Sequence, residues 1–135
     1  SRIEEHDSCE VEVPKGALRA YCGNSVLYFE EQNIDLVESL QVPAQMALFD
    51  ADKLQWPLRL RRWREGDWFV PFGMAGKKKL SDLLIDQKLS LMEKQRQLVL
   101  LSGEDIIWVV GLRTDDRYRV DDRTEQVLSI HREIV

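Results

Sequence analysis

The side chains best suited to chemistry are gathered in one stretch, residues 56–91, WPLRLRRWREGDWFVPFGMAGKKKLSDLLIDQKLSL. It carries Arg59, Arg61, Arg62 and Arg64, and then Lys77, Lys78 and Lys79 in succession. Arginine offers a planar fork of donors that fits phosphate or carboxylate, and lysine offers a compact point charge. Such a set binds an anion, and an RNA backbone is the natural candidate. The competing reading is that the arginines pair with neighbouring acidic side chains and the lysines solvate a helix start. Three cations at a helix N-terminus oppose its macrodipole, however, which favours an external anion.

Other reactive groups are sparse. Asp82 and Asp86 fall four apart on one side of a helix, but no cleft partner for acid–base work is visible, so salt links to lysine or arginine neighbours are expected. Asp50 and Asp52 lack the further oxygen ligands of a calcium loop and are read as turn caps and partners of nearby arginines. His6 and His131 lie far apart and sit in no nucleophile or metal motif. Cys9 and Cys22 form no CxxC pair and have no histidine pair nearby, which excludes a zinc site. They are read as reduced, half-buried thiols of a cytoplasmic protein, with a disulfide across a hairpin as the alternative.

The net charge of −5 argues against a general nucleic-acid binder, but its distribution matters more. Residues 1–52 carry a balance of −8, residues 53–79 one of +6 and residues 80–135 one of −3. Positive charge is therefore confined to the centre of the chain, as a local docking patch requires. No apolar run approaches the roughly 20 residues that cross a bilayer. The chain opens Ser1-Arg2-Ile3 without an initiator methionine and is expected to be a piece of a longer protein.

The elements that must position these groups can be read from periodicity. Residues 10–13, 17–22 and 25–30 read as three short strands, with turns at Pro14-Lys15-Gly16 and Gly23-Asn24. They make an acidic hairpin and connector segment over 1–45. Pro43 precedes a short strand at 46–49. Leu58 to Trp63 alternates as a strand, and Glu65-Gly66-Asp67 is a turn. Leu80, Leu83 and Leu84 form the apolar stripe of a short helix. Residues 89–96 are a linker or a second short helix. Residues 98–101 and 106–110 form a hairpin whose second arm, apolar throughout, should be covered on both faces. Residues 127–134 form the closing strand. Trp108 belongs to the core, whereas Trp63 and Trp68 either pack the loop or stack on a base. The expected fold is α+β, a mainly antiparallel sheet assembly with one or two short helices packed on it.

Several ordered pieces of the second segment, 46–135, resemble the C-terminal domain of tRNA(Ile)-lysidine synthetase. They are Arg61-Arg62-Trp63-Arg64-Glu65-Gly66-Asp67, Pro71-Phe72-Gly73-Met74, Gly76-Lys77-Lys78-Lys79-Leu80, Ser81 to Lys88, and Ile106 to Arg113. The resemblance implies a non-catalytic domain that grips the acceptor stem of an isoleucine tRNA. The RNA-facing residues it implies are Arg61, Arg62, Arg64, Lys77, Lys78, Lys79 and Arg113, with Lys88 matching in a less defined role. The parent enzyme would use ATP and lysine to convert the wobble cytidine to lysidine. The pyrophosphate loop, Ser-Gly-Gly-x-Asp-Ser, is missing from this sequence, so ATP and Mg are assigned to an N-terminal catalytic domain of the same chain. The family also admits a homodimer in the bacterial cytoplasm. The alternative is a protein–protein interaction domain whose basic face meets an acidic partner.

Overall fold

The computed structural model describes residues 9–135. Eleven strands are present among them: β1 (Glu10–Val13), β2 (Arg19–Cys22), β3 (Ser25–Asn33), β4 (Met46–Asp50), β5 (Leu58–Arg62), β6 (Trp68–Phe69), β7 (Lys78–Lys79), β8 (Leu98–Ser102), β9 (Asp105–Val109), β10 (Arg113–Thr114) and β11 (Gln126–Ile134). Two helices, α1 (Leu80–Asp86) and α2 (Leu91–Arg96), sit between β7 and β8. The architecture is α+β, as the sequence pattern predicts.

The strands form two antiparallel sheets and a small arm. The first sheet has the order β1-β5-β8-β9-β10, the second β2-β3-β11-β4, and β6 pairs with β7. The first sheet is the middle layer. Leu58, Leu60, Leu98, Leu100 and Trp108 share a core with Leu27, Phe29, Phe49, Leu128 and Ile130 of the second sheet. On the opposite face Val99, Leu101, Ile106 and Val109 pack with Phe69, Leu80 and Leu83. The expectation that 106–110 is covered on both faces therefore holds. A bulge refines it. Leu100 pairs with Trp108 but Leu101 pairs with Ile106, so Ile107 is an extra residue and joins Trp108 in the larger core.

Three expectations need correction. The first three strands do not form one unit. β1 pairs with β5, register Val11↔Leu60, whereas β2 and β3 belong to the other sheet with β11. Hydrogen bonding therefore shows no break at residue 45, because non-local pairing overrides the short turn at 14–16. Next, Cys9 and Cys22 are joined in a disulfide with their Cα atoms 5.7 Å apart. Cys9 precedes an edge strand of one sheet and Cys22 ends an edge strand of the other. The bridge thus spans the two layers at a separation typical of such links. Finally, Asp50 does cap a turn, accepting the Asp52 amide at 3.0 Å, but its side-chain partners are Thr124 at 2.8 Å and Lys53 at 4.0 Å rather than arginines.

The helix α1 is short for an autonomous helix, so its stability comes from its buried stripe. Leu80 and Leu84 are fully buried and Leu83 nearly so. The replacement Leu80→Ala should lower stability by about 2–5 kcal/mol in urea unfolding, the cost of a cavity in a packed core. A loss under about 1 kcal/mol would show that the helix is not fixed by this stripe.

Candidate nucleic-acid interface

The arginine strand and the lysines are tied together through one turn. Arg61 is buried, and its guanidinium donates to Asp67 from Nη1 at 2.9 Å and from Nη2 at 3.1 Å. Asp67 Oδ2 also accepts the Arg64 amide at 2.7 Å. The Asp67 carbonyl accepts the amide of Leu80, the first residue of α1, at 3.0 Å. Arg61 thus spends its charge inside the protein. Its role in an interface is to fix the turn that carries Arg64 and the helix that follows the lysines.

The lysines do not open the helix as expected. Lys78 and Lys79 lie on β7, paired with Phe69 and Trp68, and Lys79 is the N-cap residue of α1 without a capping side chain. Lys77 is exposed and places its Nζ 4.1 Å from the centroid of the Trp68 ring. Arg117 lies over the same ring at 4.9 Å. Such stacking holds a cation in place while leaving its charge available. Lys78 bonds Asp86 at 2.6 Å, the lysine link expected for that carboxylate. Lys79 is exposed and makes no ion pair among the described residues.

The Pro71–Met74 loop is fastened to the segment 113–117. Asp115 is fully buried; its Oδ2 accepts the Val70 amide at 2.8 Å and Arg117 Nη2 at 2.9 Å. Its Oδ1 accepts the backbone amide and Nε of Arg117. These bonds raise the Arg117 guanidinium above its ordinary range. Asp116 Oδ1 accepts the Gly73 amide at 3.0 Å, and Gly73 takes the positive φ of 82° that the loop's turn requires. Arg113 donates to the Phe72 carbonyl at 3.0 Å, so it supports the loop from beneath. The loop presents Phe72 and Met74, 53% and 48% exposed. The Asp115–Arg117 clamp has no signature in the sequence, since Thr-Asp-Asp-Arg reads only as a charged loop.

The remaining candidates divide. Arg62 and Arg64 line a shallow hollow with Glu10 and Glu65, and Arg64 pairs with Glu10 at 3.5 Å. Lys88 is exposed beyond the end of α1 with φ of 55°, and the Leu89 and Lys88 amides return to Leu84 and Ile85 in a Schellman closure. Trp63 packs against the smaller core and donates from Nε1 to the Lys94 carbonyl at 2.7 Å, so it serves packing. Trp68 is the platform for two cations. Among the described residues, no three His, Cys, Asp or Glu side chains converge on a point where a metal ion could sit.

A pair of antiparallel sheets with a short cation-bearing arm makes up a small α+β domain. The chain belongs to the family of the TilS substrate C-terminal domain, whose model matches residues 58–131. A tRNA(Ile)-lysidine synthase of Parabacteroides distasonis is 49% identical over 105 residues, which cover 78% of this chain and 24% of that protein. Another, from Bacteroides thetaiotaomicron, is 52% identical over 84 residues, covering 62% of this chain and 20% of the relative. The chain therefore spans about a quarter or less of these relatives' length. A crystal structure of the TILS C-terminal domain superposes with a TM-score of 0.80 at 24% identity, over 95% of this chain and 98% of that one. An N-terminal fragment of the phenylalanyl-tRNA synthetase β-subunit from Pyrococcus horikoshii follows at 0.64 and 17% identity. Both likenesses show the fold.

Two changes separate scaffold from surface. Breaking the buried pair with Asp67→Ala should cost about 3–5 kcal/mol by chemical denaturation, because Arg61 would be left charged and covered. Lys88→Gly should raise stability by about 0.5–1 kcal/mol, since only glycine holds a left-handed helix end without steric cost. An unchanged or lower denaturation midpoint for Lys88→Gly would mean that its backbone is not strained in this way.

Proposed function

We propose that this chain is the tRNA-binding C-terminal domain of a tRNA(Ile)-lysidine synthase and that it holds the acceptor stem of its substrate. Family membership supports the parentage. The observation that carries the binding role is the arm itself: Lys77 is stacked on Trp68, Lys79 is unpaired among the described residues, and a pinned loop stands alongside. Exposed cations on a rigid support are what recognition of an RNA duplex through backbone and shape requires. Arg64, Lys77, Lys79 and Lys88 reach solvent directly. Arg62, Lys78 and Arg113 are half-covered, and Arg61 acts from within.

The parent enzyme would carry out the ATP-dependent attachment of lysine to the wobble cytidine in the cytoplasm. ATP and its magnesium ion belong to the part of that protein outside this chain. The sequence carries no pyrophosphate loop, and no ligand set converges among the described residues. The catalytic portion of the same polypeptide, and a second copy of it, are the expected protein neighbours. No helix among the described residues is long and apolar enough to cross a membrane.

Binding to isolated isoleucine tRNA across a salt series tests the reading. Lys77→Ala, Lys78→Ala and Lys79→Ala combined should weaken binding by about tenfold or more. The change should also flatten the log–log salt slope by about two to three, one for each lost phosphate contact. Unaltered affinity and slope would favour the alternative, a domain whose basic face docks an acidic protein.

A further inference from the structure

A second cationic site lies away from the lysine arm. Where the ends of β3 and β11 meet α2 and the turn after β9, a hollow of about 370 Å³ is lined by Asn24, Ser25, Gln45, Arg96, Gln97 and Arg132. Arg132 is half-buried there, and its environment is unusual. Arg59, Arg61 and Arg117 each face a carboxylate. Arg132 faces none among the described residues. Its Nη1 makes one long bond, to Ser25 Oγ at 3.4 Å, and its Nε is covered without an acceptor. Burial lowers its pKa. A guanidinium has five donors and no acceptor, so withdrawing it from water beside neutral groups alone is costly.

The backbone makes room for this arrangement. A side chain at Gly111 would put its Cβ 2.7 Å from Arg132 Nη2 and 3.3 Å from Gln45 Nε2. Arg96, exposed in the last turn of α2, supplies a second positive charge to the same hollow and makes no ion pair among the described residues. One acidic residue, Glu93, lies on the rim, but its carboxylate is held by the Ser90 amide at 2.9 Å as part of the helix cap. Two cations, three side-chain amides and a hydroxyl therefore line a concave space, with the Glu93 carboxylate at its edge turned to the Ser90 amide.

We propose that this hollow binds a phosphate group, with Arg132 as the forked donor at its floor and Arg96 as the counter-charge at its mouth. The phosphate comes either from a free anion or from an RNA phosphodiester. The site uses none of the lysine arm, so it stands or falls apart from the tRNA-binding reading.

Nuclear magnetic resonance on the labelled chain, titrated with inorganic phosphate at ionic strength held constant by chloride, tests it. The Gly111 amide and the Arg132 Nε–H should shift and saturate. R132Q should weaken phosphate binding about tenfold or more, and R96Q several-fold, as loss of charge-assisted hydrogen bonds predicts. Arg96 is exposed, so R96Q reports on binding even if R132Q loses stability. The triple lysine-to-alanine variant should keep its phosphate affinity within about twofold. Shifts that grow linearly without saturation, or saturate equally in R132Q and R96Q, overturn the proposal. So does loss of binding in the lysine variant alone. A short RNA duplex that displaces the phosphate from these resonances identifies an RNA phosphodiester as the source. Retention of the phosphate signals in its presence identifies the free anion.

Discussion

Asp67 and Arg61 hold each other out of water, and the rest of the basic surface depends on that exchange. A carboxylate and a guanidinium removed from solvent are tolerated without a large cost only when each satisfies the other. Both nitrogens at the end of the Arg61 fork meet the two Asp67 oxygens. Asp67 then closes its own turn through the Arg64 amide and reaches α1 through its carbonyl. One ion pair therefore sets where the turn sits on the first sheet and where the helix begins. Arg64 and the lysine arm inherit their positions from it.

A second buried carboxylate repeats the device on the other side of the arm. Asp115 accepts four hydrogen bonds, one from the loop and three from Arg117. Arg117 can then lie over Trp68 without being free to leave, and Trp68 in turn supports Lys77. The loop bearing Phe72 and Met74 is held by backbone bonds to the same segment, which keeps two apolar side chains in water at its tip. The two clamps differ in outcome. Arg61 is hidden by its carboxylate, whereas Arg117 remains partly open and shares an aromatic face with a lysine.

Periodicity made the sheet-forming segments and the α1 stripe readable because burial imposes it directly. Leu58 and Leu60, the apolar runs at 98–101 and 106–109 and the leucines of α1 each occupy the core that their spacing indicates. Pairing was less legible. Nothing local in Glu10–Val13 says that it joins β5 instead of β2, and that choice placed Cys9 against Cys22 across the layers. Among the basic residues, identity and order pointed to the stretch but could not sort it. Arg61 and Arg62 are adjacent and alike in sequence, yet the first is buried by a carboxylate six residues on and the second stays half-exposed. Asp115 was invisible because a buried aspartate in a charged loop looks like its exposed neighbours until the fold closes over it. Arg132 was invisible for the opposite reason: its peculiarity is the carboxylate it lacks among the described residues.

The sorting of cations bears on the proposal that an acidic chain holds RNA. Counterion release and long-range attraction depend on charges that remain exposed, so internal pairs such as Arg61–Asp67 contribute geometry but little field. Lys77, stacked on Trp68 just before β7, and Lys79, unpaired among the described residues, keep their charge exposed on or beside a strand pair of two residues each. The sequence outside the basic stretch is acidic, with a balance of −8 over residues 1–52. A polyanion is attracted to exposed clusters of cations and repelled by the acidic stretches between them, within a Debye length. Net acidity then sharpens the orientation of binding instead of opposing it. Because duplex RNA is read through phosphate spacing, a few cations on a rigid arm can discriminate by geometry where a uniformly basic surface could not.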